Sequence, residues 1–355
     1  MAPDGRFLVQ TNQVHFFRMT RMTRSPTFRI RIASRTAACA LALFALAPPA
    51  SAQQDFPNRP ITLTMPYATG GPGDAITRVF ASSLQKHLGV QVVVDNPAGA
   101  SGTIGTAKVA RSKPDGYTLL MIHVSHATNG AMFKSLPYSP VDDFEPVARG
   151  TSGPMVIVTR QGFPTNSLPE FIQYLRGNAD KVSLAHAGVG SASHLCALMM
   201  MSALNVKLNE VPYKGTGPAL VDLAGGQVDV LCDQTSGTVP QVRSGRIRAV
   251  AAAGKARLPQ LPDVPAIAEA GVTGLDINIS FGVYAPKGTP KAVIEKLTDG
   301  MKKSVTDPDT RSRLEQMGVA AVPESEATPE ALRAHLRREI ETLVPLLVKA
   351  GIQPN

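Results

Sequence analysis

From residue 61 onward, short apolar runs rich in β-branched residues alternate with stretches whose apolar positions recur at helical spacing, and several of the junctions are glycine-rich. Such alternation is what parallel strands joined by helical crossovers require, so it restricts the chain to a layered α/β fold. Residues 61–65 (ITLTM) read as a first strand. Ala75, Ile76, Val79, Phe80, Leu84 and Leu88 then repeat as a helix face. Residues 91–94 and 117–124 supply further strands, with a glycine-rich loop and a short helix between them. A second series begins at 155–159. It continues with a helix at 167–177, a strand at 182–187, a helix at 191–204, a strand near Glu210, a helix at 216–224 and a strand at 228–232. A strand at 247–253, a proline-rich connection at 258–265 and an extended stretch at 278–285 follow. The C-terminus is helical, opened by the cap and first-turn pair Thr328-Pro329.

The first 52 residues read as an address rather than as part of this fold. Arg18, Arg21, Arg24, Arg29, Arg31 and Arg35 precede an apolar run at 37–47, and Ala50-Ser51-Ala52 gives a small-x-small cleavage pattern, so cleavage is expected after Ala52. Met19 and Met22 offer alternative starts. The run is shorter than the ~20 residues that cross a bilayer. Cys39 leaves with the leader and has nearly all of the apolar run after it, unlike a lipoprotein cysteine, whose run comes before it. Seven of the 36 Lys and Arg and one of the 27 Asp and Glu lie in this segment, which leaves 29 against 26 in the exported chain. A net charge of +3 with no basic stripe excludes nucleic acid as the expected partner. Two cysteines remain, Cys196 and Cys232; they can pair in an oxidising compartment, but two in 303 residues are not a disulfide scaffold, and they read as buried thiols.

Three loops stand at strand-to-helix junctions, where open α/β sheets bind ligands and helix N-termini favour anions. The first is residues 66–74 (PYATGGPGD), in which Thr69, Gly70 and Gly71 are expected to contact a ligand and Asp74 to cap the helix. The second, residues 96–105, carries Gly-x-x-Gly-x-x-Gly instead of the dinucleotide fingerprint, so no nucleotide cofactor is expected. The third, residues 187–194 (AGVGSASH), mirrors the first. Its serines lack the hydrolase elbow, and Ser191 and His194 read as neighbours on one helical turn rather than nucleophile and base. His126 and His186 are placed at strand ends beside the cleft. Met199, Met200 and Met201 read as core filler. The histidines are scattered without metal-ligand spacing, so no metal is expected. No activated nucleophile or paired catalytic carboxylates can be placed, so no catalytic residue and no cofactor is assigned.

The blocks PYATGGPGD, VVVDNPAGASGTIG, KPDGYTLL, DDFEPVA, AGVGSASHL, EVPYKGTGPALVDLAGGQVDV, LPDVPAIAEAG and APKGTP resemble, in order, those of the Bug-type extracytoplasmic solute receptors of the tripartite tricarboxylate transporter system. The resemblance runs from about Phe56 to the C-terminus. It implies a two-lobed, type II-like periplasmic binding protein, each lobe a mainly parallel sheet flanked by helices, with the ligand cleft between. Lobe I is expected at 53–153 plus 278–355 and lobe II at 154–277, joined by two crossings that allow hinge closure. The implied role is a monomeric, non-enzymatic periplasmic receptor that holds a small carboxylate through backbone amides, hydroxyls and waters and hands it to membrane transporter subunits. A receptor feeding a signalling partner would have the same cleft. Carried over by position, Tyr67, Thr69, Gly70, Gly71 and Asp74 line one lobe and Gly188, Gly190, Ser191 and His194 the other, with Ser125, Thr128 and Asp233 as further candidates. The expected contact is a ligand bridging Gly70 and Gly71 to Gly190 and Ser191. The chain departs from the family pattern at Pro97-Ala98, His186, Cys232 and Ser280.

Overall fold

The computed structural model describes residues 56–349; the leader, its cleavage after Ala52 and Cys39 lie outside them. The first series forms β1 (Ile61–Thr64), α1 (Pro72–Leu88), β2 (Val92–Asp95), α2 (Thr103–Ala110), β3 (Thr118–Ile122) and α3 (Ser125–Met132). After β4 (Phe144–Arg160) the second series is α4 (Leu168–Asn178), β5 (Ser183–His186), α5 (Ala192–Leu204), β6 (Asn209–Pro212), α6 (Thr216–Ala224), β7 (Val230–Gln234), α7 (Thr235–Arg243) and β8 (Ile247–Ala252). β9 (Asn278–Pro286), α8 (Lys291–Thr306), α9 (Pro308–Gln316), β10 (Ala320–Ala321) and α10 (Pro329–Lys349) complete the chain.

The strands form one continuous path, β2-β1-β3-β9-β4-β7-β5-β6, with β8 and β10 also paired to β4. Its flanks are parallel: β1 with β2 and β3, β5 with β6 and β7. Its centre is antiparallel, a strand direction that the alternation of elements does not display. The reason is β4, which pairs with β9 from Phe144 to Pro154 and with β7 from Met155 to Thr159. One strand therefore belongs to both lobes, and β9 runs back beside it. Register shifts between Pro146 and Ala148 and between Arg149 and Thr151 bend β4 on the way. Ser280, one of the departures, is buried on β9; its hydroxyl donates to Thr151 O and accepts from Arg149 Nε at 2.8 Å, and Arg149 also pairs with Glu326.

Helix α1 shows how local sequence sets an element that matters later. Gly71 is its N-cap and Pro72 supplies a pre-set φ at the first helical position, where a missing N–H costs nothing. Ile76, Phe80, Leu84 and Leu88 bury one face, and Gly89 ends the helix in the left-handed region at φ 74°. Each fully buried side chain of this kind contributes roughly 1.5–3 kcal/mol. Met200 and Met201 are buried on α5, as their run suggested, while Met199 is partly buried.

Two expectations are corrected. Cys196 on α5 and Cys232 on β7 are not free thiols: they form a disulfide, with Cα atoms 5.9 Å apart. Their separation of 36 residues concealed what the packing of α5 on β7 brings together. His126 does not stand beside the cleft. It lies on α3, 1% exposed, its ring against Tyr284 at 4.6 Å and Phe144 at 4.9 Å. Burial pulls its pKa down to about 3, so it is a neutral core ring.

Candidate functional site

The loops that follow β1, β3, β5, β6 and β7 leave the carboxyl ends of their strands and meet. Three contacts define the meeting. The amide of Ala68, after β1, donates to the carbonyl of Lys214, after β6, at 3.1 Å. The Thr128 hydroxyl on α3 donates to the Gly190 carbonyl at 2.7 Å. Gly71, at the start of α1, faces Thr216 and Gly217, at the start of α6: a methyl group on Gly71 would lie 3.2 Å from both the Gly217 nitrogen and Thr216 Oγ1. Gly217 is tighter still, since a methyl there would come to 2.2 Å from the Thr69 carbonyl oxygen. Backbone approaches backbone only because neither position carries a Cβ.

Between these loops lies a cavity of about 20 Å³, lined by Met65, Tyr67, Gly71, Asp74, His123, Ser191, Thr216, Asp233 and Gln234 among others. That is room for about one water, so a small acid enters only when the loops part. No Lys or Arg is among its lining residues. Donors come instead from the first turns of α1 and α6, whose N–H groups have no intrahelical partners and carry the positive end of the helix dipole. Larger grooves, such as one of about 420 Å³ lined by Asn166, Ser167, Arg248 and Asp263, take no residue from the meeting loops.

Of the residues singled out from sequence, Tyr67, Gly71, Asp74, Ser191 and Asp233 line the cavity. Tyr67 is buried, donates to the Ser101 carbonyl at 2.9 Å, and has its phenol pKa pushed up by that burial. Asp74 does not point at a ligand's charge unanswered: its Oδ2 accepts from the Gly70 amide and from Arg78 Nε, both at 3.1 Å. It sits at the third position of α1 and reaches back over the helix start. Ser191 is the N-cap of α5 and accepts from the His194 amide at 3.2 Å.

Thr69, Gly70, Ser125, Thr128, Gly188, Gly190 and His194 are not among the lining residues. Of the expected bridge from Gly70 and Gly71 to Gly190 and Ser191, Gly71 and Ser191 line the cavity together, whereas Gly70 and Gly190 do not. Gly71 meets α6, whereas Gly190 meets α3, where an added methyl would come to 2.9 Å from Met132 Cγ. Three lining residues went unread in the sequence. Thr216 and Gln234 open α6 and α7, and the strand-Gly-helix pattern at 211–217 was a usable signal for the first. His123, at the end of β3, packs on Tyr67 at 5.0 Å and Phe281 at 5.3 Å, and burial pulls it down to about 3.

The reading that no metal-ligand cluster exists is also corrected. Among the described residues, His186, His194 and Glu210 place ligand atoms within 4.8 Å of one another. Pairing of β5 with β6 sets Glu210 opposite Leu184, two residues from His186, so the sequence spacing gives no hint. The hydrogen bonds argue for a brace rather than a cation site. His186 Nδ1 accepts from Gly188 N at 3.2 Å and His194 Nδ1 from Gly190 N at 3.1 Å, while His194 Nε2 lies 3.1 Å from Glu210 Oε1. An imidazole whose Nδ1 accepts carries its proton on Nε2, leaving no free lone pair there for a metal. Burial, with His194 beside it, pulls His186 down to about 4. The two rings thus hold the 187–191 loop in place from behind.

The profile of the tripartite tricarboxylate transporter family receptor matches residues 76–339. The periplasmic binding protein BugD is similar, with 43% identity, a TM-score of 0.82, and coverage of 84% of this chain and 100% of that one. The MatC protein of Rhodopseudomonas palustris, solved with bound malate, shares 36% identity at a TM-score of 0.79, over 82% of this chain and all of its own. An R. palustris protein solved with adipate shares 31% at a TM-score of 0.81, over 85% and 100%.

Proposed function

This chain belongs to the tripartite tricarboxylate transporter receptor family, and we propose that it is a periplasmic receptor that captures a small carboxylate by closing its cleft and delivers it to a tripartite tricarboxylate-type membrane transporter. The lobes in this reading are 53–153 with 278–355, and 154–277, hinged where β4 and β9 pass between them. The ligand-bound relatives, one with malate and one with adipate, support the acid class.

The observation that carries the reading is the convergence of two helix N-termini, those of α1 and α6, on a cavity that no Lys or Arg lines. Such a site favours an anion through fixed amides and dipoles. Closed and open forms differ in how many of these donors reach the ligand, so binding selects closure. Micromolar affinity needs about −8 kcal/mol. Hydrogen bonds to a charged group give roughly 1.5–3 kcal/mol each, so four or five suffice after ordering costs. Isothermal titration of the purified protein with L-malate, adipate and a nucleotide tests this: heat of binding with an acid supports it, and heat with the nucleotide alone overturns it. Among the described residues no helix is long and apolar enough to cross a membrane.

A further inference from the structure

We infer that Asp233 enters the liganded cleft as a neutral carboxylic acid that donates a hydrogen bond to the bound carboxylate, so that capture of the acid draws a proton into the site whenever Asp233 is ionised in the free protein. The inference rests on the carboxylate-receptor reading and adds to it the chemistry of one contact. Asp233 stands at the carboxyl end of β7, 2% exposed, and lines the cavity; its Oδ2 has no hydrogen-bond partner. Beside it Gln234 also lines the cavity, 1% exposed, with Nε2 unpartnered. Two buried polar atoms without partners at the same end of one strand are donors or acceptors waiting for a ligand.

Charge decides which. The titratable lining residues are Tyr67, Asp74, His123 and Asp233. His123 is kept neutral by burial and Tyr67 by a raised pKa. Asp74 is answered by Arg78 on its own helix. From the elements around it Asp233 meets only uncharged groups: Thr216 on α6, Gly237 on α7, and Val156 opposite it on β4. An anionic ligand about 4 Å from an ionised Asp233 would lose affinity by ~10³-fold at an effective dielectric constant of 20. A protonated Asp233 reverses the sign of that contact: its O–H bonds to the ligand oxyanion, among the shortest and strongest hydrogen bonds available. Gln234 supplies a second neutral donor. Burial pushes Asp233 up to about 7, against smaller opposing effects of the Thr216 hydroxyl and the Gln234 amide. The free protein is therefore half-protonated near neutrality, and the ligand's charge completes the protonation.

The test is calorimetric titration with L-malate at pH 6, 7 and 8, each in phosphate and in Tris, whose ionisation enthalpies differ. The proton uptake read from the difference is expected to climb from about 0.1 at pH 6 to about 0.9 at pH 8. Asp233→Asn, a neutral isostere, is expected to bind malate with no uptake and with affinity independent of pH over this range. Malate binding without uptake overturns the inference while leaving the receptor reading intact, and so does an unchanged uptake in the variant. If malate and adipate both fail to bind, it is the acid class of the receptor reading that fails. Carboxyl-carbon resonances of the ligand-free protein then decide the present point: an Asp233 midpoint near 7 supports it, and one in the ordinary carboxylate range overturns it.

Discussion

The Thr128 hydroxyl reaches across the cleft to the Gly190 carbonyl at 2.7 Å, joining α3 of one lobe to the loop that opens α5 of the other. Thr128 is fully buried, and the same oxygen also lies 3.3 Å from the Val124 carbonyl within its own helix. In the proposed closure this bond would be made only when the two loops meet. Thr128→Val keeps the shape and removes the donor. A neutral hydrogen bond contributes about 0.5–1.5 kcal/mol net, so affinity for whichever small carboxylate the protein binds is expected to fall roughly 2- to 10-fold with little change in the ligand-free unfolding midpoint. Titration calorimetry reads the first and thermal denaturation the second.

Gly217 tests closure sterically. It lies inside α6, where alanine suits the helix, yet its added methyl would meet the Thr69 carbonyl oxygen at 2.2 Å in the closed form. Gly217→Ala is expected to leave both lobes folded and to prevent full closure. In small-angle scattering the wild type should contract on adding a small carboxylate that it binds and the variant should not. An identical contraction in the variant would show that this approach does not gate the cleft.

The Cys196–Cys232 disulfide ties α5, whose N-cap is Ser191, to β7 one residue before Asp233. Closing a loop of this length reduces unfolded-state entropy by an amount worth about 4 kcal/mol. Replacing both cysteines by alanine is expected to lower the denaturant midpoint strongly, and the site should loosen with it. Equal midpoints for the variant and the oxidised wild type would remove the disulfide from the account of stability.

Asp233 gives stability a pH dependence of known sign. Its carboxyl titrates at about 7 in the folded protein against 3.8 ordinarily, because burial penalises the charge. Below pH 4 both states are protonated and nothing is lost. Between about 4 and 7 only the unfolded chain ionises, so stability falls as pH rises, by a total on the order of 4 kcal/mol. Urea titrations of the wild type and Asp233→Asn side by side should therefore diverge steadily from pH 4 to pH 7 and run parallel above it.

How much of this was legible in the sequence follows from where the determining interactions lie. Helices α1 and α5 and strands β1 and β5 declared themselves because period and capping residues are local. Strand β4 was read only from 155 onward: Pro146, Gly150, Gly153 and Pro154 break its first half, which is held by β9, more than a hundred residues away. Helices α3 and α7 were missed because Gly130 in one and Gly237 and Pro240 in the other disfavour a helix that tertiary contacts nonetheless stabilise. For the cleft, glycine-rich junctions pointed to both walls. Which glycine faces which helix depended on the relative placement of the lobes, and no local pattern encodes that. The disulfide and the His186, His194 and Glu210 group likewise depend on pairings between distant segments.

The most direct test of the central claim is a thermal-unfolding screen of the purified protein against mono-, di- and tricarboxylates, amino acids, aromatic acids and nucleotides. Ligand at 100 times its dissociation constant stabilises the fold by about 2.7 kcal/mol, a midpoint rise of roughly 5 °C for a chain of this size. The account predicts such a rise with one group of small carboxylates and none with nucleotides. No rise with any acid, or a rise with nucleotides alone, would contradict it.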